Sequence, residues 1–338
     1  MSSDQKEVIP GKGIEAARSA IKHLENRLKR VIKGRDDVID LLLIALLADR
    51  HVLLQDYPGS GKTTLAKSLG DSIIDDLSDD EIPGFRRIQF TPDLLPSDIT
   101  GISVFDAATS TFHFRRGPIF SYIVLGDEIN RTSPKVQSAM LEAMAEKQVT
   151  VDNVSYPLNE LFFVVATQNP RDVAGTYPLP VAQLDRFLFE IRMDYIDRQS
   201  EIEVLATRLE RRDPAKVDLP KVARSEIVAA RDIIEKGVYV HPNIHSCLVD
   251  IARNIRANKR VVQGISTRSL VLIVPALKAA AVMKGRDFVV GEDIARLAPY
   301  AFAHRISLAA GVDDDIGIVA ECVKEPLEAL SRFTMTRK

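Results

Sequence analysis

The feature that most restricts how this chain can fold is a glycine-rich run between a strand-like and a helix-like segment. The run reads Asp56-Tyr57-Pro58-Gly59-Ser60-Gly61-Lys62-Thr63-Thr64. Residues 51–55 before it have the length and apolar character of a strand, and residues 64–69 after it have helical periodicity. A glycine-rich turn in this position is typical of a loop that binds phosphate groups. The sequence therefore predicts an α/β fold with a phosphate site at the end of a strand.

Each part of this loop predicts a contact with ATP or with Mg²⁺. Gly59 and Gly61 let the backbone curl so that successive N–H groups point at the phosphates, and the helix N-terminus adds about half a positive charge. Lys62 should reach the β- and γ-phosphates. The Thr63 hydroxyl suits Mg²⁺, a hard cation that prefers oxygen ligands. The other loop residues expected to contact the nucleotide are Pro58, Ser60 and Thr64.

The loop departs from the usual pattern at its first position, where Asp56 replaces glycine. A residue there adopts a strand-end conformation that needs no positive φ, so we expect little loss of function. The alternative is a glycine-rich turn that binds nothing. The polar ends of two further strands argue against that alternative.

Two carboxylates close the apolar segment that begins at Ile123. Asp127 is suited to hold the water shell of Mg²⁺, and Glu128 to polarise the water that attacks the γ-phosphate. The segment 161–167 ends in Gln168-Asn169-Pro170, where the Asn169 amide is placed to orient the same water. An ordinary strand end is the alternative for the acidic pair, and a turn before proline is the alternative for Asn169.

The pattern of apolar segments changes once along the chain, near residues 194–198. Before this point, strand-like runs alternate with helix-like segments, at residues 51–55, 85–90, 122–127, 161–167 and 187–193. Such alternation predicts a parallel five-stranded sheet covered on both faces. After it, helical patterns occupy residues 199–211, 225–236, 244–257, 268–283 and 291–307. We therefore expect an α/β nucleotide-binding core over residues 1–196 and a smaller all-α lid over residues 197–338.

Charge and composition exclude several classes of partner. With 45 basic and 47 acidic residues the net charge is −2, so no overall field attracts nucleic acid or anionic lipid. The basic cluster Arg253, Arg256, Lys259 and Arg260 is typical of a solvated helix face. The apolar run at residues 41–48 is too short to span a membrane, and residues 1–12 do not resemble a signal peptide. These features predict a cytoplasmic protein without a membrane span.

Several longer sequence motifs resemble those of the AAA+ ATPases, and in their detailed sequence those of the MoxR family. They are Asp127-Glu128-Ile129-Asn130-Arg131, Gln137-Ser138-Ala139-Met140-Leu141-Glu142-Ala143-Met144, Ala166-Thr167-Gln168-Asn169-Pro170, Gly175-Thr176-Tyr177-Pro178-Leu179-Pro180 and Gln183-Leu184-Asp185-Arg186-Phe187. The resemblance covers about residues 31–306. The first two dozen residues and the tail after Gly311 carry no recognised motif.

The resemblance implies roles for residues that the pattern alone does not assign. Asn169 matches the sensor 1 position, and Arg186 matches the arginine finger that completes the ATP site of a neighbouring subunit. Such an arginine stabilises transition-state charge by a factor of about 10³ to 10⁵. A surface ion pair with Asp185 or Glu190 is the alternative for Arg186.

Further assignments follow from the same resemblance. Arg268 matches the sensor 2 arginine of the lid, and the subunit whose nucleotide it contacts is left open. Arg131 matches a position near an intersubunit γ-phosphate, with a structural role as the alternative. The residues that resemble the segment packing on adenine are Val31, Ile32 and Gly34, for which a helix cap with apolar neighbours is the alternative.

Two hairpins are predicted, and the resemblance gives them a place. Residues 101–117 correspond to the helix 2 insert, and residues 148–158 to the pre-sensor 1 hairpin. In a ring such hairpins commonly face the pore. The alternative is that both only stiffen the edge of the sheet.

The function that the resemblance implies is ATP hydrolysis by a ring, with six subunits as the expected number. The work would be chaperone-like, in the remodelling, maturation or cofactor insertion of client complexes, with a von Willebrand factor A domain protein as partner. A chelatase-type metal-insertion motor and an ATP-switched scaffold with little turnover remain alternatives. A DNA-remodelling ATPase is a further one, and it would require salt-dependent binding.

Overall fold

The computed structural model describes residues 10–56, 59–76, 82–169, 175–208 and 218–335. Its helices are α1 (Pro10–Val31), α2 (Asp36–Leu47), α3 (Lys62–Asp71), α4 (Pro96–Thr100), α5 (Pro134–Glu146), α6 (Val181–Leu184), α7 (Arg198–Ala206), α8 (Arg224–Gly237), α9 (Pro242–Ala257), α10 (Thr267–Met283), α11 (Gly291–Phe302) and α12 (Asp315–Met335). Two short 3₁₀ helices lie at Ile129–Arg131 and Ala303–Arg305.

The strands fall into one large sheet and several two-stranded pairs. They are β1 (His51–Asp56), β2 (Ile73–Ile74), β3 (Phe85–Gln89), β4 (Gly101–Asp106), β5 (Thr111–Arg116), β6 (Ile123–Asp127), β7 (Gln148–Val151), β8 (Val154–Pro157), β9 (Phe163–Gln168), β10 (Phe187–Met193), β11 (Val222–Ala223), β12 (Val261–Gln263) and β13 (Ser307–Leu308). The large sheet has the order β10-β1-β9-β6-β3, and all its pairings are parallel. The predicted fold class, a parallel five-stranded sheet followed by helices, is confirmed.

The central strands are buried on both faces, which explains why they read as continuous apolar runs. Along β1, Leu54 belongs to the core under α1 and α2, whereas Leu53 belongs to the core under α5. Leu125 and Val124 alternate in the same way along β6. Because successive side chains of a strand point to opposite faces, helices must cover both sides of this sheet.

The helical patterns predicted after the sheet are present, with small changes at their ends. The pattern at residues 291–307 gives α11 only as far as Phe302, and a 3₁₀ turn follows. The pattern at residues 199–211 gives α7 up to Ala206, and residues 209–217 lie outside the described part of the chain. His304 in this 3₁₀ turn is buried, and its Nε2 lies 3.2 Å from the carbonyl oxygen of Phe187 in β10.

Two helices occupy the terminal segments in which no motif was recognised. Helix α1 carries a stripe at Ile14, Ala17, Ile21, Leu24 and Leu28, all at most 5% exposed. This spacing is that of an amphipathic helix, and it was present in the sequence. The segment at residues 31–34 was expected to precede the first helix, and this expectation is wrong. Val31 is the last residue of α1, and the segment connects α1 to α2. Helix α12 likewise packs against α9 and α11.

The predicted division between residues 196 and 197 falls between β10 and α7. Helix α1 contacts elements on both sides of this division, because it packs against α8 as well as against α2 and α3. The first helix therefore connects the sheet to the helices that follow it. The division itself stays a prediction.

Two hairpins project from the sheet within the segments predicted to form them. The first pairs β4 with β5, and the second pairs β7 with β8. Phe114 of the first stacks on Tyr156 of the second, with ring centroids 3.9 Å apart and planes inclined by 17°. The tip of the first hairpin exposes Phe105 and Phe112, which contact each other. The aromatic stack fixes the two hairpins relative to one another.

Candidate nucleotide-binding site

The glycine-rich loop has the backbone conformation that the sequence predicted. Gly59 and Gly61 have φ of +90° and +94°, in the region that favours glycine. Gly61 caps the N-terminus of α3, whose first residue is Lys62. The first backbone N–H groups of an α-helix lack an acceptor within the helix, which makes the start of α3 suited to an anion. Tyr57 and Pro58 lie outside the described residues.

Asp127 is held from three sides at the carboxyl end of β6. Its Oδ1 accepts a hydrogen bond from Thr167 Oγ1 at 2.7 Å and lies 3.2 Å from Lys62 Nζ. Its Oδ2 accepts hydrogen bonds from Arg87 Nη2 at 2.6 Å and Arg87 Nε at 3.2 Å. Burial raises the pKa of Asp127, but these donors and the charge of Lys62 outweigh it, so the pKa lies below its ordinary value. Asp127 is therefore a carboxylate at neutral pH.

Glu128 follows directly and is oriented by its backbone. Its φ of +60° is unusual for a residue other than glycine, asparagine or aspartate, and its N–H donates to Thr167 Oγ1 at 2.9 Å. The side chain accepts from Gln89 Nε2 at 3.0 Å, and Arg131 Nε lies 3.2 Å from the same oxygen, Oε2. The strained backbone and these two donors direct the Glu128 carboxylate into the cleft.

Three residues of this site were not assigned from the sequence: Arg87, Gln89 and Thr167. Arg87 and Gln89 lie on the edge strand β3, whose register places Gln89 opposite Asp127. Thr167 lies inside β9 and serves both members of the acidic pair. Polar residues at the ends of parallel strands share one sheet edge, so their positions were a usable signal. The pairing of β3 with β6 is the information that the sequence did not supply.

Two adjoining cavities meet at the glycine-rich loop. A cleft of about 440 Å³ is lined by Gly59, Gly61, Lys62, Thr63, Thr64, Arg87, Gln89, Asp127 and Glu128. A second cavity of about 560 Å³ is lined by Gly59, Ser60, Gly61 and Thr64, by Ile32, Lys33 and Arg35, and by residues of the β10–α7 region, including Met193, Tyr195, Ile196, Val204 and Leu205. The first is polar at its base and suits phosphates. The second has apolar walls and the size of a nucleoside site.

The segment predicted to pack on adenine is at this second cavity, although its residues differ in what they do. Ile32 lines the cavity, whereas Val31 ends α1 and is buried in the core. Gly34 has φ of +67°, and a Cβ there would lie 2.6 Å from Ser200 Cβ at the start of α7. Gly34 thus permits the close approach of α7 that closes the cavity. Lys33 adds an ion pair with Glu203 of α7, at 2.8 Å.

Asn169 lies one residue beyond β9, at the same edge of the sheet as Asp127. Strand β9 is the neighbour of both β1, which leads into the glycine-rich loop, and β6, which ends at Asp127. Gln168, which precedes Asn169, has a buried Oε1 without a hydrogen-bond partner among the described residues. A ligand at this edge of the sheet would meet polar groups from three adjacent strands.

Arg186 lies at the opposite end of the sheet. It immediately precedes β10, whose first residue pairs in parallel with His51 at the start of β1. Six residues of β1 separate that end from the glycine-rich loop, roughly 20 Å at the usual rise of a strand. The guanidinium donates to the Leu141 carbonyl at 3.0 Å. Within the described residues, Arg186 makes neither of the ion pairs considered as alternatives.

Arg268 is at the same end of the molecule as Arg186. Its Nε lies 3.8 Å from Asp185 Oδ2, and its side chain is 63% exposed. Asp185 is bound mainly by Arg305, whose Nε donates to Oδ1 at 2.7 Å. Both predicted arginines therefore lie away from the phosphate loop of their own chain.

The residues present fit a Mg²⁺ ion beside the phosphates. Thr63, at the start of α3, supplies a hydroxyl to the cleft, and the ionised Asp127 supplies a carboxylate. Both are oxygen donors, and Mg²⁺ takes few protein ligands and keeps several waters. Among the described residues there is no cluster of three histidine, cysteine or acidic side chains that would hold a metal without such help.

No helix among the described residues combines the length and the apolar character that crossing a bilayer requires. The two cysteines, Cys247 and Cys322, are both buried and unpaired with each other. Burial raises the pKa of the Cys247 thiol to about 11, so it is not a reactive thiolate at neutral pH. These features leave the nucleotide cleft as the chemically distinctive part of the described structure.

Comparison with known proteins agrees with this geometry. The family described as ATPase family associated with various cellular activities (AAA) matches residues 51–189, and the AAA lid domain family matches residues 253–322. The uncharacterized protein YeaC of Bacillus subtilis is 44% identical over 94% of this chain and 95% of its own length. Chaperone MoxR1 of Mycobacterium tuberculosis is 33% identical over 91% of this chain and 81% of its own.

A solved structure gives the same answer for the fold. The crystal structure of a candidate ATPase from Cytophaga hutchinsonii superimposes with a TM-score of 0.82 and 33% identity, over 93% of this chain and 96% of that one. The likeness extends through both the sheet and the helices that follow it. The chain belongs to the MoxR family of AAA+ ATPases.

Proposed function

We propose that this protein hydrolyses ATP to ADP and phosphate and uses the energy to remodel client protein complexes. The observation that carries the proposal is the placement of Glu128 in the same cleft as Lys62 and Asp127. A phosphate-binding loop alone needs only to bind a nucleotide. A carboxylate held over that loop by Gln89 and Arg131 supplies a base for water as well.

The residues of one subunit divide the work of in-line attack on the γ-phosphate. Lys62 and the N–H groups that open α3 bind the phosphates, and Thr63 and Asp127 would hold Mg²⁺, which neutralises charge on the β- and γ-phosphates. Glu128 accepts the proton of the attacking water. Asn169 is placed at the same sheet edge to orient that water. Ser60, Gly34 and Ile32 shape the nucleoside cavity.

A second subunit completes the site in this proposal. Arg186 lies roughly 20 Å of strand away from the loop of its own chain, so it serves only a neighbour's γ-phosphate. The exposed Arg268 beside Asp185 supports the same assignment for the sensor 2 arginine. Both point to a head-to-tail ring of identical subunits, with six as the expected number.

The client role draws on the name of one relative, Chaperone MoxR1. We propose chaperone-like maturation or cofactor insertion in protein complexes, in the cytoplasm, with a von Willebrand factor A domain protein as adaptor. The exposed aromatic tip of the first hairpin, at Phe105 and Phe112, supports a contact with a polypeptide. Nucleic acid is not expected as a partner, because the net charge is −2.

Phosphate release from Mg-ATP by the purified chain tests the hydrolysis proposal. Wild type should turn over, and Glu128→Gln should bind ATP with little change while releasing phosphate about 10²-fold or more slowly. Glu146→Gln, which changes an exposed carboxylate at the end of α5, is the matched control and should keep the wild-type rate. Equal rates for wild type and Glu128→Gln would exclude this base. A wild type that binds but never releases phosphate would indicate an ATP-switched scaffold instead.

A further inference from the structure

Arg87 is a cation of the phosphate cleft that no motif of the sequence assigns. It lies on the edge strand β3, lines the cleft, and has a side chain that is 47% exposed. Its guanidinium donates two hydrogen bonds to Asp127 Oδ2 and one to Gln89 Oε1, the last at 2.6 Å. Arg86, the preceding residue, points to the other side of the strand, because side chains alternate.

We propose that Arg87 is a ligand of the terminal phosphate of bound ATP, and that its contact with Asp127 is the position it holds in the nucleotide-free site. The inference rests on the proposed function, since it deepens the ATP site described above. It concerns binding and not turnover. Arg87 would be a second positive side chain from the same subunit, on the side of the cleft away from the glycine-rich loop.

The position of Arg87 in the cleft supports this proposal. Lys62, the residue expected to reach the β- and γ-phosphates, contacts Oδ1 of Asp127, and Arg87 contacts Oδ2 of the same carboxylate. The two cations thus flank one small anionic group at the base of one cleft. A γ-phosphate within reach of Lys62 is therefore also close to a long arginine side chain whose head group is only half enclosed.

The charges in the cleft also favour a contact between Arg87 and the terminal phosphate. Once Asp127 is engaged with Mg²⁺, its carboxylate no longer offers Arg87 an unshared negative charge, and the dication repels the guanidinium. Glu128 in the same cleft already has Gln89 and Arg131 as partners, so the terminal phosphate is the anion left for Arg87 to pair with. A planar guanidinium matches phosphate oxygens with paired hydrogen bonds, which are stronger than bonds between neutral groups. The same displacement would release Oε1 of Gln89, whose amide group holds Glu128.

The test is a comparison of two nucleotides by calorimetry, with Mg²⁺ present throughout. The probes are β,γ-imido-ATP, which is not hydrolysed and carries a terminal phosphate, and ADP, which lacks it. Arg87→Gln should lose about tenfold or more in affinity for β,γ-imido-ATP and under about threefold for ADP. Arg87→Lys should lose less affinity for β,γ-imido-ATP than Arg87→Gln does, because it keeps the positive charge. Arg86→Gln, with the same charge change on the other side of the strand, should bind both nucleotides as wild type does.

The opposite patterns overturn the proposal. Equal losses for the two nucleotides would show that Arg87 only positions Asp127, which serves both complexes. Unchanged binding of both would show that Arg87 does not contact a phosphate. Thermal unfolding identifies a variant that has lost its fold. If Arg87→Gln does not fold, the two nucleotides are compared on Arg87→Lys, which keeps a positive charge beside Asp127. If Arg87→Gln weakens binding of β,γ-imido-ATP more than binding of ADP, and the wild type releases no phosphate from ATP, the hydrolysis proposal is refuted. The proposed contact between Arg87 and the terminal phosphate is then still supported.

Discussion

The Gln89 amide holds the Glu128 carboxylate, with Nε2 and Oε2 3.0 Å apart, across two neighbouring strands. Arg131 contacts the same oxygen from the other side, at 3.2 Å. The proposed base is therefore oriented by two donors, one on the edge strand β3 and one in the 3₁₀ helix that follows β6. Variants can test whether these donors serve the chemistry of the water or the binding of the nucleotide.

Gln89→Ala removes one of the two donors and should slow phosphate release about tenfold while nucleotide affinity changes little. The physical reason is that a mobile Glu128 spends less time in line with the attacking water. Single-turnover measurements with saturating ATP, together with binding by calorimetry, give the two quantities separately. A parallel loss of affinity would instead mean that Gln89 shapes the phosphate cleft. Gln89→Glu, which places like charge beside Glu128, should be slower still.

Gly34→Ala should lower the free energy of unfolding by about 1–3 kcal/mol and weaken nucleotide binding. An added Cβ lies 2.6 Å from Ser200 in a backbone with φ of +67°. Gly285→Ala is the matched control, since its φ is +76° and a Cβ there meets nothing within 4 Å. Denaturant unfolding measures the loss of unfolding free energy in both variants. The loss in Gly285→Ala reports the backbone strain alone, and the additional loss in Gly34→Ala reports the clash with Ser200. Equal destabilisation would remove the proposed role of Gly34 in admitting α7.

Glu190 should make stability fall as pH rises toward neutrality. Burial raises the pKa of Glu190 to about 7, above its ordinary value of 4.5, with Arg192 opposing the shift and Asp315 adding to it. The folded state therefore holds a proton that the unfolded state loses, and this contribution disappears between about pH 4.5 and 7.

Glu190→Gln, which resembles the protonated form, lacks this dependence. We expect the difference in unfolding free energy between variant and wild type to grow by up to about 3 kcal/mol over that window, in favour of the variant. Urea titrations at several pH values measure it. A difference that stays constant with pH would show that Glu190 is ionised throughout, stabilised by Arg192.

Arg186→Ala should assemble like wild type but release phosphate about 10³-fold or more slowly. The arginine lies at the far end of the sheet from its own loop, so in the proposed ring it would act on the ATP of a neighbouring subunit. Specific activity of wild type should rise with protein concentration as the mass reaches that of a ring. Activity that is independent of concentration and survives the substitution would mean that each subunit acts alone.

The parts predicted well from the sequence are those in which one residue type serves one local purpose. The central strands β1, β6 and β9 read as apolar runs because both of their faces are buried, and the loop glycines were expected because positive φ favours them. Asp127 ends β6 and Glu128 follows it, as expected from the point at which the apolar run ends.

The parts that the sequence did not supply depend on which strands are neighbours. Arg87 and Gln89 look like surface residues of an unremarkable strand until β3 pairs with β6 and brings them to the acidic pair. Thr167 reads as a strand residue, although it bridges Asp127 and Glu128. The amphipathic stripe of α1 is visible in the sequence, but the stripe does not indicate that the helix packs on α8.

The parallel alignment of β1 and β10 has a consequence for mixtures of defective subunits. Each junction in the proposed ring takes its water-activating carboxylate from one copy and its arginine from the next. Copies carrying Glu128→Gln and copies carrying Arg186→Ala would each inactivate one junction. When a Glu128→Gln copy supplies the carboxylate and an Arg186→Ala copy supplies the arginine of one junction, both defects fall on that junction. The next junction then has an intact carboxylate and an intact arginine. A blend of two inactive preparations would then regain activity, and a double substitution in every copy would not.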